Sequence, residues 1–118
     1  MHEASIVESL IETVRREAPA GVRVTRVNVR VGLLTGISPE CMQFYFEFFR
    51  ENTIASGSEL SVEMAPLLTT CASCGTALKL RELAWTCPSC GAEPLAFTNG
   101  HELDLVSVEV EDGASNLD

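Results

Sequence analysis

The chain has 118 residues, 46% of them hydrophobic, and 17 acidic against 8 basic residues give it a formal net charge of −9. This length accommodates one domain, or one small domain with a metal-bound insert. The acidic balance argues against a nucleic-acid binder, which needs clustered cations to displace counterions from phosphates. No apolar run reaches the length of a membrane span and no secretory signal is recognisable, so we expect a cytoplasmic protein with reduced cysteines.

The chain begins with a predicted amphipathic helix, which a predicted strand follows. Residues 4–17 carry apolar side chains at three- and four-residue spacing with charged residues between them, the pattern of a helix with one buried face. In the strand, over residues 22–33, alternate valines from Val27 onward share one face. Val24 has the opposite parity, so the strand starts late or contains a bulge.

A second helix is predicted over residues 39–52, with Ser38 as its N-cap and Pro39 in the first turn, where a missing N–H has no cost. Its apolar side chains form two neighbouring stripes, and an arc that wide predicts burial on two sides. The second stripe consists of Cys41, Phe44 and Phe48. We expect this stripe to belong to the core, with Cys41 as a small buried hydrophobe; a partner or dimer contact is the alternative.

A strand predicted over residues 59–64 ends before Pro66 and precedes two matched cysteine pairs with twelve residues between them. The paired residues are Cys71, Cys74, Cys87 and Cys90. Each two-residue loop brings its sulfurs within reach of one ion, so the four thiolates can surround a tetrahedral Zn²⁺. Gly75 and Gly91 follow the pairs, where we expect backbone amides to face the sulfurs and a side chain to crowd them. The pattern predicts a zinc ribbon.

Two disulfides and a redox-active cysteine pair are the alternatives to zinc. Disulfides need an oxidising compartment, which the absence of a signal peptide makes unexpected. A redox motif would place one C-x-x-C at the start of a helix after a strand, rather than two matched pairs. Zinc also supplies the stability that a segment of about thirty residues cannot obtain from an apolar core.

A turn at residues 98–100 and a last strand over 103–110 follow the cysteine segment. Because the strands on both sides of the cysteines can join one sheet, the zinc module is expected to be an insertion. The predicted fold is α+β: an α/β sandwich with two helices packed on a small three-stranded sheet and an inserted zinc-ribbon module. The expected divisions are an α/β domain at 1–66 plus 98–112, a zinc-binding domain at 67–97 and a frayed acidic tail at 113–118.

His2 is the residue that the chemistry favours for activity. The α-amine of Met1, the backbone nitrogen of His2 and the imidazole Nδ1 can close fused chelate rings on one metal, and planar nitrogen donors suit Ni(II) or Cu(II). A histidine near a terminus is also commonly just exposed, so this residue alone leaves both interpretations open. His101, the only other histidine, occupies a turn position and is interpreted as a bystander.

Segments spread from the start of the chain to about residue 111 occur in the order of one known family. They are Met1-His2-Glu3, Val29-Arg30-Val31-Gly32, Pro39 with Phe46-Glu47, Leu60-Ser61-Val62-Glu63 with Pro66, the double C-x2-C, and Glu102-Leu103 with Val108-Glu109-Val110. Together they resemble the HypA/HybF family, nickel metallochaperones for the maturation of nickel–iron hydrogenase and, in some organisms, urease.

The resemblance implies that His2 binds nickel, with backbone nitrogens of Met1, His2 and Glu3 completing the site. It implies that the four paired cysteines hold a structural Zn²⁺ and that Ni²⁺ is a transient cargo. Some members place histidines beside the zinc cysteines, whereas Gly75 and Gly91 stand there in this chain, so zinc-site switching through such histidines is not expected. The implied partners are a GTPase accessory protein and the hydrogenase large-subunit precursor.

The sequence does not favour an enzyme, because no nucleophile is paired with a base and a closed Cys₄ site has no open position for metal-assisted hydrolysis. The rival hypothesis is a non-catalytic zinc-ribbon adaptor that binds nucleic acid or the transcription machinery, with His2 incidental. Two questions stay open at this point: the choice between a hydrogenase and a urease client, and the choice between a monomer and a homodimer.

Overall fold

The computed structural model describes residues 3–111. The predicted nickel ligand His2, its neighbour Met1 and the predicted tail at 113–118 lie outside these residues. The described elements, in chain order, are α1 (Glu3–Glu17), β1 (Arg23–Gly32), a short 3-10 turn (Leu33–Thr35), α2 (Pro39–Phe49), β2 (Glu59–Ala65), β3 (Leu67–Thr70), β4 (Ala77–Leu80) and β5 (Leu103–Glu111).

The two helices begin beside one another. The Ser38 hydroxyl accepts a hydrogen bond from the Cys41 N–H at 3.2 Å, which confirms the predicted N-cap of α2. The Ser38 N–H in turn donates to Oε2 of Glu3 at 2.9 Å, and Glu3 is only 4% exposed. A buried carboxylate at the start of α1 therefore also holds the start of α2.

Three strands form one sheet in the order β2-β1-β5, as the predicted fold class requires. The strands that precede and follow the cysteines thus lie in one sheet, but each is a neighbour of β1 rather than of the other. Val24 and Val27 are both buried, so the inward-facing set changes parity between them. Because β1 begins at Arg23, this irregularity lies within the strand rather than before it.

Helix α2 is buried on one side, which contradicts the expectation of burial on two sides. Met42 and Phe46 are 0% and 1% exposed, and α1 packs against this helix. By contrast Phe44 and Phe48 are 67% and 69% exposed, and Cys41 is exposed as well. The prediction that Cys41 is a small buried hydrophobe was wrong, because within residues 3–111 only one face of α2 is covered.

The chain divides into two compact units. The first unit contains the chain up to Val29, residues 37–63 and the chain from Asp104 onward; the second contains Arg30–Gly36 and Met64–Leu103. The second unit includes an antiparallel hairpin of β3 and β4, which the sequence analysis did not predict. The limits of a separate zinc-binding domain at 67–97 stay a prediction.

Asn99 organises the turn before β5 within the second unit. Its side-chain oxygen accepts a hydrogen bond from the Leu68 N–H at 2.9 Å, and its Nδ2 donates to the Pro66 carbonyl at 2.8 Å. The same Nδ2 donates to Oε2 of Glu102 at 2.9 Å, and Oε1 of Glu102 accepts from the Gly100 N–H at 3.0 Å. One amide and one carboxylate, bonded to each other, therefore satisfy three backbone groups at and near this turn.

Candidate metal centre

The first cysteine pair lies in the loop that joins β3 to β4. The Cys71 N–H donates to the Thr76 carbonyl at 2.9 Å, and the Gly75 N–H donates to the Cys71 carbonyl at 2.8 Å. These bonds close a compact turn around Cys71 and Cys74, whose sulfurs lie within 4.8 Å of each other.

The second pair repeats this turn at Cys87 and Cys90. The Cys87 N–H donates to the Ala92 carbonyl at 2.9 Å, and the Gly91 N–H donates to the Cys87 carbonyl at 2.8 Å. The matching hydrogen bonds show that the equal spacing of the two cysteine pairs in the sequence produces the same local structure twice.

The structure contradicts one part of the prediction for Gly75 and Gly91, the crowding of the sulfurs by a side chain. A Cβ atom at either position would meet nothing within 4 Å, so a side chain would not crowd the sulfurs. Both residues have a φ in the left-handed region, +77° and +81°, which L side chains rarely adopt. Their own amides donate to carbonyls, and the amides that face the sulfurs belong to neighbouring residues, among them Thr76 at Cys74 and Ser89, whose N lies 3.4 Å from the Cys87 Sγ. The glycines are therefore needed for backbone conformation.

The four sulfurs converge on one point. All four Sγ atoms lie within 4.8 Å of one another, with 3.7 Å between Cys71 and Cys90 and 3.8 Å between Cys74 and Cys87. A Zn–S distance of about 2.3 Å in a regular tetrahedron requires sulfurs about 3.8 Å apart. The cysteines are free rather than bridged, since a disulfide would bring two sulfurs to about 2.05 Å. This donor set fits a tetrahedral zinc ion.

The four cysteines differ in burial and in the hydrogen bonds that shift the pKa values of their thiols. Cys71 and Cys87 are buried in a small cluster with Leu95, whereas Cys74 and Cys90 are exposed. The Thr76 hydroxyl and backbone lower the pKa of the Cys74 thiol to about 6. Hydrogen bonds from the Cys90 and Ser89 backbone lower the pKa of Cys87 as well. The pKa of Cys90 is raised to about 12, because a hydrogen bond from the Ala92 backbone, which lowers it, is outweighed by desolvation and the three neighbouring thiols.

A centre of this kind is closed. Four cysteines occupy all four positions of a tetrahedral ion, which leaves none for a substrate or an activated water. The geometry therefore suits a structural ion that joins the two turns.

The arginines between residues 15 and 30 all have interaction partners, and most of these partners are nearby carboxylates. Arg26 lies 3.2 Å from Glu59 and 3.7 Å from Glu109. Arg23 lies 3.8 Å from Glu111, Arg15 and Arg16 pair with Glu12, and Arg30 also has a partner. These arginines form a solvated helix end and strand face rather than a surface for phosphates.

Of the other predicted site residues, the structure describes Glu3 and His101 but not Met1 and His2. His2 and the Met1 amine lie outside the described residues, while Glu3 is buried and bonded to Ser38. His101 is exposed in the turn before β5. Among residues 3–111, no helix is long and apolar enough to cross a membrane.

The fold and the centre together define an α+β protein with a four-cysteine, zinc-ribbon type metal site. A family model described as "Hydrogenase/urease nickel incorporation, metallochaperone, hypA" matches residues 1–110. The chain therefore belongs to the HypA family, as the resemblance in the sequence indicated.

Similar proteins support this assignment over nearly the whole chain. The chain is 36% identical to the hydrogenase maturation factor HypA of Geobacter metallireducens over 111 residues, covering 94% of this chain and 100% of that protein. It is 39% identical to HypA of Aquifex aeolicus over 114 residues, covering 94% and 98%. The solution structure of the Ni metallochaperone HypA from Helicobacter pylori matches with a TM-score of 0.58 and 27% identity, covering 92% and 97%. These matches do not favour the hypothesis of a zinc-ribbon adaptor.

Proposed function

We propose that this protein binds Ni(II) at its amino terminus and delivers it during the maturation of nickel–iron hydrogenase, while Cys71, Cys74, Cys87 and Cys90 hold a structural zinc ion. The observation that carries the proposal is the extent of the family match, which covers residues 1–110 and so includes both His2 and the cysteine pairs. The convergence of the four sulfurs supports the zinc half independently.

The nickel ligands would be the α-amine of Met1 and the backbone nitrogen and imidazole Nδ1 of His2, with the backbone of Glu3 as a further donor. Nitrogen donors in one plane suit Ni(II). The neighbouring chain supports such a site, because Glu3 is buried and its carboxylate holds the Ser38 amide. The terminal metal site would thus adjoin the first residue of α1, which this hydrogen bond ties to the start of α2.

The two metals have opposite tasks, which their ligands explain. A closed Cys₄ zinc site exchanges its ion slowly, whereas a terminal site with one side-chain donor can pass its ion to incoming ligands of a partner. Delivery by ligand exchange breaks and forms no covalent bond in a substrate, so the protein would act as a carrier and not as an enzyme. The proposed recipients are a GTPase accessory protein and the hydrogenase large-subunit precursor, in the cytoplasm.

Nickel affinity should fall as the pH falls. The imidazole, with a reference pKa near 6.5, and the α-amine, with one of about 7.7–8.0, must both be deprotonated to coordinate the ion.

Replacement of His2 by alanine tests the nickel site directly. Equilibrium dialysis followed by metal analysis should find one nickel and one zinc in the wild-type protein, and His2→Ala should lose the nickel and keep the zinc. His101→Ala is the matched control, since it removes the only other imidazole. If His2→Ala binds nickel as tightly as the wild type, His2 is not the ligand and the proposal fails at that residue.

A further inference from the structure

The exposed side of α2 carries an aromatic pair that the fold does not cover. We define the α2 outer face as Glu40, Cys41, Phe44, Glu47 and Phe48, all of which are exposed. Phe44 and Phe48 are four residues apart, so their side chains are neighbours on the helix surface. Isolated apolar side chains are common on protein surfaces, but two adjacent phenylalanines with two thirds of their surface in water form a patch that marks an interaction site.

Each of the two exposed rings contacts a partly buried aromatic ring of the same helix. Phe44 makes an edge-to-face contact with Tyr45, with ring centroids 5.2 Å apart, and Phe48 makes the same kind of contact with Phe49 at 5.3 Å. Tyr45 and Phe49 are partly buried and stack on each other at 6.0 Å. Side chains that are already ordered lose little conformational entropy when a partner covers them, so these phenylalanines are suited to act as binding anchors.

The charged side chains of the α2 outer face are both carboxylates. Glu40 and Glu47 lie within about 60° of rotation of Phe44 around the helix axis, at 3.6 residues per turn. Within the described chain neither carboxylate forms an ion pair. Arg50 is the only cation between residues 36 and 58; its Nη1 donates to the Ser58 carbonyl and its side chain is 25% exposed. The α2 outer face thus offers apolar rings and carboxylates without an exposed cation.

The exposed rings and the carboxylates together determine which kind of partner surface is complementary to the α2 outer face. A second copy of the same face would bring further carboxylates and no cation, so it is a poor complement. A helix with leucine-like side chains along one stripe and lysines or arginines beside them would satisfy both features. We propose that the α2 outer face docks a basic amphipathic helix of a partner protein, anchored by Phe44 and Phe48 and oriented by Glu40 and Glu47.

The probe is a synthetic 18-residue helical peptide of leucine and lysine, with a leucine–glutamate peptide of the same pattern as its control. Titrated into the zinc-loaded full-length protein, the lysine peptide should bind, and the F44A/F48A variant should weaken binding by about tenfold or more, since aromatic anchors dominate such interfaces. The matched control is L68A/L83A, which removes two other large apolar side chains that are about half exposed. That variant should bind like the wild type.

Charge reversal provides the second arm. The E40K/E47K variant should lose binding of the lysine peptide and gain binding of the glutamate peptide, and higher salt should weaken the wild-type interaction.

The proposal is overturned if the wild type binds neither peptide, if it binds both equally, or if L68A/L83A weakens binding as much as F44A/F48A. It is also overturned if light scattering shows a wild-type dimer that F44A/F48A converts to a monomer, because the occupant would then be a second copy. Unchanged nickel and zinc contents of F44A/F48A separate this surface from the metal sites.

Discussion

The two compact units are stabilised by different means. The first unit buries large apolar side chains from both helices and from β1: Val7, Val14, Val24, Val27, Val29, Met42 and Phe46. In the second unit the buried cluster around the metal centre contains Cys71, Cys87 and Leu95, while Leu83 and Trp85 are about half exposed. The first unit therefore relies on apolar burial, and the segment around the cysteines relies on the ion that the sulfurs can hold.

The difference has an energetic consequence. Structural zinc in comparable small modules contributes an apparent 10–16 kcal/mol or so, roughly the entire stability of an ordinary domain. Loss of one ion should therefore damage the second unit more than the loss of any single side chain damages the first.

Zinc removal is expected to have the largest effect. Trp85 is the only tryptophan, and its ring lies 5.5 Å from that of Phe97 in the second unit, so its fluorescence reports on that unit alone. A chelator, or Cys87→Ser, should shift Trp85 emission to the red because the ring becomes hydrated, while the helical circular dichroism of the first unit persists. Cys41→Ser is the control, because Cys41 is an exposed cysteine outside the cluster. An unchanged Trp85 spectrum after zinc loss would show that the second unit does not need the ion.

Truncation of one core aromatic should have the next largest effect. Phe46 is 1% exposed, so Phe46→Ala should lower the free energy of unfolding of the first unit by about 3–5 kcal/mol through lost burial and a cavity. Phe48→Ala, two residues along the same helix but at an exposed position, should change it by less than about 0.5 kcal/mol. Urea denaturation followed by circular dichroism measures both. Equal losses in the two variants would mean that α2 is covered on both sides after all.

The smallest expected effect is a pH dependence at Glu102. The hydrogen bond from the Asn99 side chain, together with backbone amides, lowers the pKa of this carboxyl. A lowered folded-state pKa means that the ionised form stabilises the fold above the unfolded-state pKa of about 4.3, and that this contribution is lost as the pH falls through the folded-state value.

The wild-type advantage in melting temperature over Glu102→Gln should therefore shrink as the pH is lowered from 6 to about 3.5, past the reference value for glutamate. Comparing the two proteins at each pH cancels the loss of zinc in acid, which affects both. Glu82→Gln, at an exposed position of the same unit, is the control for the general effect of removing one carboxylate. A Glu102→Gln difference that is constant with pH would contradict the assignment.

Features that depend on local spacing could be predicted from the sequence. The first helix was predicted over 4–17 and is observed over Glu3–Glu17, because its apolar period and its charged residues lie within one segment. The N-cap at Ser38 was predictable for the same reason, since the hydroxyl and the amide that it accepts from are three residues apart. The cysteine spacing likewise indicated a four-sulfur centre, because each pair forms its own turn.

Features that depend on neighbours distant in the sequence could not be predicted. Whether Phe44 and Phe48 are covered depends on which elements pack around α2, and the apolar pattern of the helix does not contain that information. Strands β3 and β4 have only four residues each, too few for a periodic signal. The proposed role of His2 rests on its chelating position and on the family resemblance together, because a histidine beside a terminus has no pattern that separates a ligand from an exposed residue.

The most direct test of the two-metal account is nickel and zinc binding by a protein with one glycine added before Met1, compared with the native amino terminus released from the same fusion. The added residue converts the α-amine of Met1 into an amide and leaves every side chain in place. The account predicts that nickel affinity falls sharply while one zinc and the Trp85 spectrum are retained. Nickel binding of unchanged affinity in the extended protein would contradict it, because the metal would then be held elsewhere in the chain.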